Sequence, residues 1–237
     1  MTLQADPELI AAFAAARSRV LAEVEAAARR AGRDPAGVSL VAVSKTVPAA
    51  RLASAFAAGF TVLGENRVQE AEEKIGALPG VRWHLVGHLQ SNKARRAVEL
   101  FDTIQSVDSV ELAERLDRLA GELGRAPLPV YLQVNVDLDE AKAGFMPGEL
   151  EDELARLGAL SNLRLEGLMT VGRLVGSAAE ARPTFVRLRA LSERLRASGD
   201  GAALGPGLSM GMTDDYVVAV EEGATLIRVG RAIFGER

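Results

Sequence analysis

Short apolar runs alternate with amphipathic stretches along nearly the whole chain, and few folds accept that pattern. The first run, Val38-Ser-Leu-Val-Ala-Val43, is continuous enough for a strand covered on both faces. Further strand-like runs occur at Phe60–Leu63, Arg82–Val86, Phe101–Ser106, Val130–Val136, Leu163–Met169, Gly207–Met210 and Ala224–Val229. Helix-like stretches separate them, near 48–58, 66–77, 90–99, 109–124, 147–160, 178–198 and 214–222. Strict β-then-α order implies a parallel sheet with helices outside it. Eight such units in 237 residues predict an α/β fold, a single closed (β/α)8 TIM barrel. An alanine-rich stretch over 6–31 supplies an extra N-terminal helix, with Asp6 and Pro7 as its start signal and Gly32 as its stop. The open doubly wound alternative lacks its dinucleotide fingerprint. Gly205-Pro-Gly207-Leu-Ser-Met-Gly211 is one residue too long, and the first strand leads into Ser44-Lys45-Thr46 instead of a glycine loop. No Pro/Ser/Gly-rich linker divides the chain, so one domain over 1–237 is expected.

Composition removes several function classes. With no cysteine there are no disulfides, thiolate metal sites or cysteine nucleophiles. With 28 basic and 32 acidic side chains the net charge is −4, which argues against a nucleic-acid partner. No apolar run reaches the ~20 residues of a membrane span. The opening MTLQADPELI lacks a signal-peptide pattern, so a cytoplasmic protein is expected. No apolar seam is evident, which makes a monomer the default.

Barrel active sites lie at the C-terminal ends of the strands. The first strand ends in Lys45, on the same face as Val41 and Val43. Two readings are open there: a lysine that reaches solvent along its own stem, or an amine made nucleophilic by burial. The loops after strands seven and eight are where such barrels commonly bind phosphate. Gly207, Gly211 and Gly230 would let backbone N–H groups approach an anion, and Ser209 offers a hydroxyl, although tight turns need glycines anyway. Asp214 and Asp215 fall at the start of the next helix, so an anion would lie on the Ser209, Gly211 and Gly230 side. A lysine opposite a phosphate cup suggests a phosphorylated aldehyde such as pyridoxal 5'-phosphate.

Six segments in order resemble the pyridoxal-phosphate homeostasis proteins (the YggS type), relatives of the alanine racemase N-terminal barrel. They are Leu40-Val-Ala-Val-Ser-Lys-Thr-Val-Pro48, Gly64-Glu-Asn-Arg-Val-Gln-Glu70, Trp83-His-Leu-Val-Gly-His-Leu-Gln-Ser-Asn-Lys93, Gly167-Leu-Met-Thr170, Leu208-Ser-Met-Gly-Met-Thr-Asp-Asp215 and Ile227-Arg-Val-Gly-Arg-Ala-Ile-Phe-Gly235. The resemblance implies pyridoxal 5'-phosphate held by Lys45 as a Schiff base, with Asn66 near the ring. It implies a phosphate cup of Ser209, Gly211 and the amides of Gly230 and Arg231, and Arg228 at the pyridine nitrogen. Arg231 stands where the family often has threonine, and Val171-Gly-Arg-Leu174 departs from the expected proline-containing loop. Arginine is always charged and has no acceptor, so it favours an unprotonated ring nitrogen and weakens the ring as an electron sink. A strand-end pairing of Arg228 with Glu222 is the plain alternative.

The resemblance thus implies a non-enzymatic carrier or buffer of the cofactor, with apoenzymes that use it as candidate recipients. The competing reading is an amino-acid racemase, which needs an acid/base group on each face of its substrate. Alanine racemases take the second group, a tyrosine, from a further domain. Tyr131 and Tyr216 do not match it, and His84 would serve only if it pointed into the barrel mouth. His84 and His88 straddle a strand-to-loop junction, so no zinc pair is expected. Lys93, Arg95 and Arg96 read as a solvated helix face.

Overall fold

Asp6 opens the first helix as anticipated. In the computed structural model, which describes residues 4–172 and 176–235, its Oδ1 accepts the N–H groups of Glu8 (2.9 Å) and Leu9 (3.4 Å), and Pro7 takes the first helical position. Helix α1 (Pro7–Arg30) buries Phe13, Ala16, Val20, Val24, Ala27 and Ala28, a three-and-four spacing that forms one face.

The strands are β1 (Ser39–Val43), β2 (Val62–Glu65), β3 (Arg82–Leu85), β4 (Thr103–Val107), β5 (Leu128–Gln133), β6 (Leu163–Met169), β7 (Gly207–Ser209) and β8 (Leu226–Val229). All pair in parallel, in chain order, as a closed barrel. β8 returns to β1 with Val41 opposite Arg228 and Ala42 opposite Val229. Outside run α2 (Ala49–Ala57), α3 (Val68–Ile75), α4 (Ala94–Leu100), α5 (Val110–Glu122), α6 (Pro147–Gly158), α7 (Ala178–Ala197), α8 (Tyr216–Glu221) and a short α9 (Arg231–Phe234) that was not anticipated. α1 packs against α2, α8 and α9, across the seam where β1 meets β8. No helix among the described residues is long and apolar enough to cross a membrane.

Most of the core lies between sheet and helices. A smaller cluster of Val41, Val86, Tyr131, Met169 and Leu226 forms a separate apolar group, with Val43 and Val62 against it. Two boundaries differ from expectation. β2 begins at Val62, not Phe60, because Phe60 packs on the Phe234 ring at 6.4 Å. It ends two residues later, on Gly64 and Glu65, which are poor strand formers with no apolar signal to mark them. Gly167, at φ +150°, lets β6 press against β7; a Cβ there would sit 1.9 Å from the Gly207 carbonyl oxygen.

Candidate functional site

β1 runs out at Val43, and the next three residues have different fates. Ser44 is buried, and its hydroxyl donates to Glu65 Oε1 at 2.6 Å. Its carbonyl accepts from Lys74 Nζ at 3.0 Å, and the same ammonium meets Glu65 Oε1 at 2.7 Å. Burial pushes the Glu65 carboxyl up, while the bonds from Lys74 and Ser44 and the Lys74 charge pull it back. Thr46 adopts left-handed backbone (φ 64°), and its N–H donates to Glu70 Oε2 at 3.1 Å. Lys45 lies between these two fixed points. It is exposed and makes no hydrogen bond or ion pair among the described residues. The burial that one reading of Lys45 invoked is absent, and the loop that carries it is fixed on either side.

Arg228 follows on the neighbouring strand and is buried. Its Nη1 donates to Ser209 Oγ at 2.6 Å and its Nη2 to the Thr170 carbonyl at 2.7 Å. Burial pushes its pKa down to about 10, against the opposing charge of Asp215, so it stays protonated at neutral pH. The pairing with Glu222 does not occur, because Glu222 is taken by Arg182 and Arg189. Ser209 in turn donates to Gln105 Oε1 at 2.7 Å, and Gln105 Nε2 lies 2.7 Å from His84 Nδ1.

This changes the expected role of Ser209. A hydroxyl has one proton, and here it goes to Gln105, so Ser209 has none left to give an anion while that bond stands. Thr213 is the hydroxyl at the rim: its Oγ1 accepts the Gly230 N–H at 3.3 Å, and its own proton has no partner among the described residues. Gly211 (φ +92°) is required by packing, since a Cβ would approach that of Ala219 to 2.5 Å. Asp215 is the N-cap residue of α8, as its place at the helix start implied, but neither aspartate bonds a helix N–H. Asp214 pairs with the Arg231 guanidinium, and Asp215 Oδ1 accepts the Met212 N–H at 2.6 Å. The Arg231 side chain is thereby turned to Asp214 on the exposed rim. Asn66 stands half-buried just past β2, with Gly87 pressed on its backbone: a Cβ on Gly87 would come within 2.3 Å of the Asn66 carbonyl oxygen.

The strand-end Lys45, the buried Arg228 beside it and the rim of Thr213 and Gly230 thus share the C-terminal end of one barrel. The sequence family described as alanine racemase, N-terminal domain, matches residues 17–237. A curated relative from Pseudomonas aeruginosa, named pyridoxal phosphate homeostasis protein, is 43% identical over 223 residues, covering 93% of this chain and 94% of its own. The chain belongs to the pyridoxal phosphate homeostasis protein family. PipY from Synechococcus elongatus, whose solved structure has PLP bound, is similar with a TM-score of 0.79 at 47% identity, over 90% of this chain and all (100%) of PipY. An alanine racemase from Clostridium difficile shares the fold, with a TM-score of 0.67 at 16% identity, over 92% of this chain and 56% of that one.

In this member of the pyridoxal phosphate homeostasis family, several site residues were invisible to motif reading. Glu65, Thr170 and Thr213 lie inside the six segments and Lys74 and Gln105 outside them, and what each bonds is set by the barrel. His84 and Tyr131 do not line the mouth. Both border a cavity of about 440 Å3 whose other walls include Ser39, Arg82 and Pro129, residues at or near strand starts, which places it at the opposite end of the barrel. Tyr216 bonds Glu23 of α1, outside the barrel, at 2.6 Å. His88 stands on the rim past β3, paired at 2.9 Å with Asp108 past β4. Arg96 bridges Glu72 and Glu99, which bears out the solvated face. Of the atypical segment after β6, residues 173–175 lie outside the described residues. Lys142 Nζ donates to the carbonyl of Gly172, just before them, at 2.8 Å.

Proposed function

We propose that this chain holds pyridoxal 5'-phosphate covalently at Lys45 and serves as a cytoplasmic, monomeric carrier of it, delivering it to apoenzymes without turning over a substrate. The observation that carries the reading is the uncommitted Lys45 amine at the end of β1, one strand away from a buried guanidinium that has no carboxylate bonded to it. The donor set suits this group. Bound, the cofactor supplies an aldehyde that condenses with the Lys45 amine with loss of one water. The Thr213 hydroxyl and the Arg231 amide are the donors for its phosphate, while the Gly230 amide is spent on Thr213 Oγ1. Arg228 has only protons to offer, so it would suit a ring nitrogen that acts as an acceptor and stays unprotonated. Asn66 follows β2, the strand next to β1, and is half-buried there.

Non-enzymatic behaviour is argued from what the mouth lacks. His84 and both tyrosines are committed elsewhere in the fold, and the exposed histidine on the rim, His88, is tied to Asp108. A proton taken by Lys45 therefore returns to the face it left. Borohydride treatment of the loaded protein, followed by peptide mass spectrometry, is expected to place the label on Lys45. A label on Lys93 or Lys142, or none, overturns the assignment. Incubation with L-alanine is expected to give no D-enantiomer by chiral chromatography. Steady racemisation lost in both Lys45→Ala and His88→Ala would replace the carrier by a racemase.

A further inference from the structure

Arg228, Ser209, Gln105 and His84 form a single file of buried side chains from the seam between β1 and β8 to the far cavity, each 2.6–2.7 Å from the next. Arginine can only donate, so Ser209 accepts from Arg228, and in this structure the Ser209 hydroxyl in turn gives its one proton to Gln105 Oε1. Gln105 must then present its oxygen to Ser209 and its amide nitrogen to His84. His84 Nδ1 is accordingly the acceptor, and the imidazole proton sits on Nε2.

We infer that Gln105 is a positioning residue for Arg228, fixing the guanidinium through Ser209 from one side while the Thr170 carbonyl fixes it from the other. This role rests on the proposed cofactor site, because an oriented guanidinium matters only to a ring that meets it there. Two of Arg228's five N–H groups are spent on Ser209 and Thr170, on different nitrogens, so the plane of the group is set before any ligand arrives. Ser209 accepts and donates through a single oxygen, whereas Gln105 does so through separate atoms, Oε1 towards Ser209 and Nε2 towards His84. Burial keeps His84 neutral by lowering its pKa to about 4, with the nearby Arg82 charge adding to the effect, so the acceptor at the end of the file persists through the neutral range. His84 thus has a place in the site although it does not reach the mouth.

The test begins on the unliganded protein. Nitrogen-15 NMR is expected to show His84 with Nδ1 bare and Nε2 protonated between pH 6 and 8, and slowly rotating Arg228 Nη resonances. A proton on Nδ1 would reverse the file and overturn the inference. Gln105→Met keeps the volume and removes both bonds. It is expected to free Arg228 rotation and to weaken uptake of pyridoxal 5'-phosphate and of pyridoxal by about the same factor, near tenfold, with a shifted visible absorption band. Thr213→Val, by contrast, is expected to weaken only the phosphorylated ligand. Ser209→Ala cuts the file at another link and is expected to reproduce Gln105→Met, which covers the case in which one variant fails to fold. Unchanged Arg228 dynamics and unchanged affinity in a folded Gln105→Met or Ser209→Ala protein would end the positioning role. If the wild type takes up no ligand at Lys45, the function proposed above fails instead, while the NMR result still decides the direction of the file.

Discussion

A histidine buried beside Gln105 must stay neutral, and stability then depends on acid. The folded value for His84 lies near 4, while an unfolded histidine titrates near 6.5. Its contribution is therefore complete above about pH 6.5 and is lost as pH falls towards 4, where the unfolded chain has already taken up the proton. The shift amounts to about 3 kcal/mol. Glu65 and Asp215, both raised by burial, act in the opposite sense: they favour the folded state as they protonate in acid. The comparison to make is therefore between wild type and His84→Gln. Urea midpoints between pH 7 and 4.5 are expected to fall more steeply for the wild type. Parallel slopes would show that His84 titrates normally. Sequence alone located Lys45 and Arg228 correctly at adjacent strand ends, because strand alternation and chain order suffice for that. It placed Ser209 in a phosphate cup but could not reveal its bond to Gln105, because those two residues are 104 positions apart and meet only across a closed barrel.

The loop between β1 and α2 owes its shape to a charge pair beneath it. Glu65 closes β2 with its Oε1 bonded to Ser44 and Lys74, and its Oε2 is buried with no hydrogen-bond partner. Removing one member of a buried ion pair costs far more than removing both. Lys74→Met is expected to destabilise by about 3–5 kcal/mol, and Lys74→Met combined with Glu65→Leu to recover most of that loss. Chemical denaturation of the two variants checks it; a loss below about 1 kcal/mol in the single variant would mean that Glu65 simply protonates. The order of the strands and of the eight helices named from the sequence was legible from periodicity, and β6 was bounded to the residue. The end of β2 was not, since a glycine followed by a glutamate carries no strand signal and the residue that neutralises it, Lys74, is in the next helix. α9 escaped notice because four residues are too few to show a period.

The barrel is closed by bonds between parts of the chain that are far apart in sequence. Arg33, just past α1, donates to the Val220 carbonyl at 2.5 Å and to the Ala224 carbonyl at 2.8 Å, and Arg30 pairs with Glu221 at 2.7 Å. The Arg33 bonds are charge-assisted and half-buried, whereas Arg30 is largely solvated and counts for little. Arg33→Ala is expected to cost about 1.5–3 kcal/mol and Arg30→Ala under about 1 kcal/mol, measured by urea unfolding. Equal losses would contradict this ranking. The alternating pattern announced a barrel, but not that α1 would cover its seam, because the partners of that helix come from the other end of the sequence.

The seam also has a consequence in time. Lys45 follows β1 and Arg228 stands on β8, the first and last strands of the ring, so a pocket built from both would have no precursor until β8 has paired with β1. Contacts spanning some 190 residues, such as that of Arg30 with Glu221, close the largest loop and form late. A ligand that needs both strands recognises only a chain that has completed this step, and by binding it holds the seam shut. Uptake of such a ligand would therefore report, strand to strand, that the ring has closed.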